Sequence, residues 1–87
     1  MIYRKRPVVI EAFKYDKYSN HYVPQWGVEA YRNGVLFYSG EANDELFIKT
    51  PEGVYPVSVG DYIVRGVSGE LYPCKSDIFE QAYEEVE

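Results

Sequence analysis

One cysteine, one histidine and no long hydrophobic run set the first limits on this chain of 87 residues. The lone Cys74 has no intramolecular disulfide partner, and the Cys/His spacing of a structural zinc site is missing, so a disulfide scaffold and a zinc module both fail and a reducing cytosol fits. No segment approaches the roughly 20 apolar residues of a membrane span. The first residues have the order of a signal peptide, basic and then apolar. The apolar run is only Val8, Val9 and Ile10 before Glu11, short of the roughly 7 to 15 residues that such a leader carries. Positive charge is also scarce: 9 Lys and Arg stand against 14 Asp and Glu, for a net charge of -5. A polyanion would be repelled on average, which disfavours duplex nucleic acid as a partner. HExxH and EF-hand spacings are absent, and no other catalytic or cofactor motif takes their place. The expectation is a soluble, non-enzymatic protein with neither cofactor nor metal.

What the chain does have is aromatic mass. Ten tyrosines, four phenylalanines and one tryptophan exceed what a core of this size needs, and tyrosine supplies rigid contact area with a polar tip at interfaces. Two readings stand side by side: tyrosines covering a small two-faced sheet, or a binding surface. With 46% hydrophobic and 26% charged residues the chain reads as one compact domain over residues 1–87. Charge is uneven along it. Arg4, Lys5 and Arg6 open the sequence and Glu80, Glu84, Glu85 and Glu87 close it, so pairing of the two ends is one expectation.

Residues 7–15 alternate with apolar groups on both faces, which predicts a central strand. Residues 16–22 are polar and lack a period, as a loop would be. Pro24 suits the first position of a helix running to about Asn33, with Gly34 ending it in the left-handed conformation. Trp26 and Ala30 share a face of that helix with Val23 and Gly27, although Gly27 is a poor helix former. Short strands follow over residues 35–38, 46–50, 54–57, 62–65 and 70–74. Turns at residues 51–53, 59–61 and 66–69 separate the later ones, and Pro73 marks an edge or a strand end. Ser76 is placed to cap a helical turn over residues 77–83, with Ile78 and Ala82, or Phe79 and Tyr83, on one face. The tail can return to strand through Val86. The fold expected is α+β: a small, curled, mostly antiparallel sheet of five or six strands, partly barrel-like, with one short helix and a C-terminal helical turn.

Three groups of residues carry a resemblance. They are Tyr3 to Ala12 at the start; Val59, Gly60, Asp61, Tyr62, Ile63, Val64 and Gly66; and Gly69, Glu70, Tyr72, Pro73, Cys74, Lys75, Asp77, Ile78, Phe79 and Glu80. Over almost its whole length the chain resembles a family of small, uncharacterised proteins of tailed bacteriophages and prophages, related to the PGDYG-motif proteins. The motif here reads VGDYI, and Ser76 stands where many relatives have proline. The resemblance implies a phage origin and the bacterial host cytoplasm as the place of action, and it implies no chemistry.

Asp61 follows a glycine at a strand entrance, where its carboxylate can accept backbone N–H bonds and fix the turn. Cys74 beside Lys75 has a cation that would favour a thiolate, but only His21, in a polar loop, could be its base, so a buried structural thiol is the better reading. The acidic pairs Asp44 with Glu45 and Glu84 with Glu85 are adjacent residues whose side chains diverge, which suits solvation and not acid–base chemistry. A binding surface would draw on Arg65, Tyr72 and Lys75, joined by Trp26, Tyr62, Arg4 and Arg6: aromatic faces to hold a base and cations to neutralise phosphate. The expected partner is a phosphate-bearing small molecule or a host protein, with sequestration of a nucleotide signal or blockade of a host defence protein as the effect. The alternative is a structural or assembly module that uses tyrosines as contact anchors. In either case a homo-oligomer is expected, because small domains gain stability by association.

Overall fold

The computed structural model describes residues 1–4, 6–16 and 22–86. His21 and most of the expected loop over residues 16–22 lie outside the described residues. The elements run β1 (Glu11–Lys14), α1 (Gln25–Arg32), β2 (Leu36–Ser39), β3 (Glu45–Thr50), β4 (Gly53–Val57), β5 (Tyr62–Arg65), β6 (Leu71–Cys74) and α2 (Ser76–Ala82). The fold is α+β. No helix among the described residues is long and apolar enough to cross a membrane.

The six strands form two three-stranded antiparallel sheets, ordered β1-β5-β6 and β2-β3-β4, in place of one curled sheet, and no barrel closes among the described residues. The cause lies in residues 58–61, which look like an ordinary hairpin turn. The Asp61 N–H donates to Ser58 O at 2.9 Å, and Gly60 at the third position has φ +97°, as a type II turn requires. The turn's backbone is already bonded elsewhere, however. Tyr15 N–H donates to Asp61 O and Gly60 N–H to Tyr15 O, each at 2.8 Å, so the chain leaving the turn is aligned with β1 and not with β4. β5 then pairs Ala12↔Val64 and Phe13↔Ile63 on one side and Ile63↔Pro73 and Val64↔Tyr72 on the other.

The core lies between the sheets under α1 and gathers Phe13, Tyr15, Ala30, Leu36, Leu46, Ile48, Val57 and Ile63, with Val23, Trp26, Tyr31, Val35 and Leu71 packed against it. Fully burying a side chain such as Ile48 or Ile63 contributes about 1.5–3 kcal/mol. Both prolines within strands, Pro56 and Pro73, sit on edge strands, where a missing N–H costs no ladder bond.

Several boundaries differ from those expected. β1 is an edge strand of four residues. Apolar groups on both its faces report layers above and below the sheet, not a strand on either side. Pro24 is the N-cap of α1 and its carbonyl accepts from the N–H groups of Gly27 and Val28, while Gly34 takes the left-handed conformation at φ +79°. Ser76 is not the cap of α2. Lys75, extended at φ -64° and ψ 144° after the end of β6, is the cap, so the helix starts at Ser76, one residue earlier than expected. Residues 83–86 join no strand.

Residues 1–4 and 6–9 are exposed and belong to no helix or strand, and Met1 and Ile2 lose essentially no surface to the fold. The molecule measures 51 × 27 × 23 Å along its principal axes. The radius of gyration is 14.0 Å, where a compact chain of this length has about 12 Å.

Gly27 has a packing reason to be glycine. A Cβ there would lie 2.9 Å from Phe13 Cε1 and 3.0 Å from Val23 Cγ1, and Phe13 is itself wedged against Trp26 at a ring separation of 5.3 Å. Gly27→Ala gains about 1 kcal/mol of helix propensity but overpacks the core by roughly 1–3 kcal/mol. A net destabilisation of about 1 kcal/mol is expected in urea unfolding, and a variant more stable than the parent would refute this account of the contact.

Candidate binding groove

Alternation along β5 sends Ile63 into the core and turns Tyr62 and Val64 to the opposite face, where Ala12, Lys14, Tyr72 and Cys74 join them by register. Val64, between Ala12 and Tyr72, is fully buried although it lies outside the core between the sheets. An aromatic layer builds on this second face. Phe79 of α2 stacks on Tyr62 at 4.0 Å and 13°, and Tyr83 stacks on Phe79 at 4.9 Å, close enough to the Tyr72 phenol to raise the cost of ionising it. The pair Phe79 and Tyr83 thus forms the packing face of α2, and Ile78 stays exposed.

A groove of about 790 Å³ runs beside this layer, between the segment entering β1 and the segment leaving α2. Val8, Val9 and Ile10 form one wall, and Tyr62, Phe79 and Tyr83 another, with Tyr22 and Trp26 at one side. Its charged lining is one-sided: Glu11, Glu80, Glu84 and Glu85 against Lys14 alone. Glu11 accepts from Arg65 Nη1 at 2.9 Å, and Lys14 Nζ sits 5.9 Å over the Tyr62 ring. Among the described residues, Glu84 and Glu85 meet no cation, and Glu80 has only the Tyr62 hydroxyl at 3.5 Å.

A second hollow of about 460 Å³ lies by α1, where Arg65 and Lys49 are balanced by Glu29 and Glu70. Lys49 Nζ rests 5.6 Å over Phe37.

No protein-family model, curated protein or solved structure matches this chain. What the site can do rests on its own geometry.

Of the residues singled out from the sequence, Tyr62 and Trp26 line the larger groove, and Tyr72 supports its aromatic layer from the same sheet face. Arg65 and Lys75 are separated. Arg65 stands opposite Leu71 while Lys75 follows Cys74, about 13 Å apart along the hairpin at the usual strand rise. Each is already engaged, Arg65 with Glu11 and Lys75 with Asp61, so they form no single phosphate clamp. Arg4 and Arg6 are exposed, and among the described residues no carboxylate pairs with either, so the two chain ends are not joined through them. The Trp26 indole N–H is buried without an acceptor among the described residues, a state that costs roughly 1–3 kcal/mol.

Phe79, Tyr83, Glu80, Glu84 and Glu85 were not singled out as binding residues. Their signal was an aromatic pair four residues apart running into an acidic tail, which on its own also describes an ordinary solvated helix end.

Asp61 is buried, at 5% exposure, with its carboxylate accepting from the Ser58 N–H at 2.9 Å and from Lys75 Nζ at 3.2 Å. It closes the turn and anchors the residue that precedes α2. Beside it the Cys74 thiol is pushed up in pKa, first by burial and then by the charges of Asp61 and Asp77, which opposes nucleophilic reactivity.

Asp61→Ala leaves the Ser58 N–H without its acceptor and is expected to cost about 2 kcal/mol, while Asp61→Asn, which keeps an acceptor oxygen, should cost roughly half as much. Equal unfolding midpoints for the two variants would contradict this role. The tyrosines give a pH test. Tyr72 is pushed up to about 12 by burial, then by Tyr83 and the charge of Glu70. Tyr31 is also pushed well above its ordinary value, by burial and then by Tyr38. A raised phenol pKa means that the fold prefers the neutral form. The Tyr72 contribution is therefore fully present below about pH 10 and is lost as pH rises through about 12. In an alkaline absorbance titration these phenols should ionise last, together with loss of near-UV circular dichroism. All ten tyrosines ionising as free phenols would contradict it.

Proposed function

We propose that this chain is a small non-enzymatic binding module that seats an extended, basic segment of a partner protein in the groove beside β1 and α2. The observation that carries the reading is the lining itself: stacked Tyr62, Phe79 and Tyr83 form an apolar and π-rich wall, and Glu80, Glu84 and Glu85 form a rim in no ion pair among the described residues, with Lys14 as the one cation of the lining. Aromatic faces attract guanidinium and ammonium groups, and a carboxylate rim complements them. At about 790 Å³ the groove falls within the size range of ordinary ligand clefts.

The family resemblance supplies the setting: a protein of tailed-phage lineage, acting in the bacterial host cytoplasm on a host protein, with blockade of a host defence component as the effect. A phosphate-bearing ligand is the weaker occupant for this groove. It would meet the acidic rim, and the cations nearest the hairpin already have carboxylate partners.

Fluorescence anisotropy with a labelled peptide that alternates arginine with tyrosine or valine tests the reading. The peptide should bind, a version with glutamate for arginine should not, and Glu84→Lys with Glu85→Lys should weaken binding about tenfold, with a strong dependence on salt. A panel of linear and cyclic nucleotides should leave the thermal midpoint unchanged. A shift with any nucleotide, together with failure of the basic peptide, would replace this reading with a nucleotide-sequestering one.

A further inference from the structure

We infer that the N-terminal segment of one copy of this chain seats in the groove of a second copy, and that the exchange is reciprocal. The inference rests on the reading of the groove as a site for basic extended segments, and it names one such segment. Ile2, Tyr3, Arg4 and Arg6 combine apolar, aromatic and cationic side chains in a stretch that is exposed and enters neither sheet. In extended backbone Arg4 and Arg6, two positions apart, lie on one side. Among the described residues neither has a carboxylate partner, and Glu84 and Glu85 have no cation partner. Two sets of unpaired opposite charges on one chain are satisfied together when two chains exchange segments.

Position favours exchange over folding back. Val8, Val9 and Ile10 line the groove, so the segment before them leaves from its edge. The full exposure of Met1 and Ile2 shows that the start of the segment packs against none of its own body. A two-fold partner placed against the groove receives the segment and returns its own, which closes the assembly as an isologous dimer. Burial of Ile2, Tyr3 and Val9, all now largely exposed, adds apolar area to the charge pairing.

Light scattering and sedimentation of the full chain at micromolar concentration should give twice the chain mass of 10.1 kDa, falling toward one chain mass as salt is raised. Arg4→Glu with Arg6→Glu, and separately Glu84→Arg with Glu85→Arg, should each weaken the dimer by about tenfold or more, since each converts exposed attraction into repulsion. All four residues are exposed, so far-UV circular dichroism should not change. Mixing the two variants should restore a heterodimer. A monomer at all concentrations would overturn the inference, as would a dimer that neither variant weakens. A synthetic peptide of residues 1–9 separates the two levels. If it binds the groove while the protein stays monomeric, only self-assembly fails; if it does not bind, the groove reading fails with it.

Discussion

Burial of β5 on both faces is the constraint on which the rest of the molecule depends. Ile63 and Val64 are adjacent and both fully buried, so the strand needs an apolar layer on each side. On the Ile63 side that layer is the core shared with β3, β4 and α1. On the Val64 side no sheet packs among the described residues, and Val64 lies between Ala12 and Tyr72 on a face where Phe79 of α2 stacks on the adjoining Tyr62. Rings suit the task, because stacking of Tyr62, Phe79 and Tyr83 covers a wide area from few residues and adds roughly 0.5–1.5 kcal/mol per pair beyond area burial. A layer so thin does not extend to the margin of the sheet, and the groove is where it ends.

The Asp61 carboxylate connects the two sides. Its bond to the Ser58 N–H fixes the turn that carries the chain from one sheet to the other, and its bond to Lys75 fixes the residue before α2. A carboxylate at 5% exposure is tolerated because both bonds are charge-assisted and one partner is a full counter-ion. One side chain thereby sets both the sheet switch and the launch point of the helix that roofs the outer face. Much of the distinctive sequence around GDYI is used in this way, as scaffold for the groove and not as chemistry.

Local signals made much of the fold legible and nonlocal ones hid the rest. The bounds of β5 follow from Gly60 and Gly66 on either side, and those of the β3–β4 hairpin from Pro51 and Gly53, because turn chemistry is written in a few adjacent residues. The division into two sheets depends on hydrogen bonds between Tyr15 and residues 60 and 61, about half the chain away, and no pattern within residues 58–61 distinguishes a hairpin from a sheet switch. The same limit applies to the site. Phe79 and Tyr83 share a face by helical spacing, yet the wall exists only because Tyr62 pairs with Cys74 at the end of β6, two residues before α2 begins. Arg65 and Lys75 belong to one hairpin, but whether they meet is decided by register, which sets Arg65 opposite Leu71 and leaves Lys75 beyond Cys74. The poor helix former Gly27 made sense only once the Phe13 ring was seen filling the space of its missing side chain.

The tyrosine count can be understood on the same terms. Tyr15 donates to the Tyr38 hydroxyl at 3.4 Å, Tyr38 is stacked on Tyr31 at 6.1 Å, and Tyr72 lies beside Tyr83. In these groups the rings cover thin parts of the fold while the polar tips stay near the edge, which leucine or phenylalanine would not do in a domain too small to hide every polar atom. Most of the apparent surplus is therefore structural. At the groove, Tyr62, Tyr83 and Tyr22 stand beside an acidic rim that Lys14 alone among the lining residues opposes. Like charges gathered at one site repel one another and are easily solvated apart when nothing requires them together. Gathered beside an aromatic wall with a single lysine among them, these carboxylates give the groove the polarity of a cation-binding surface.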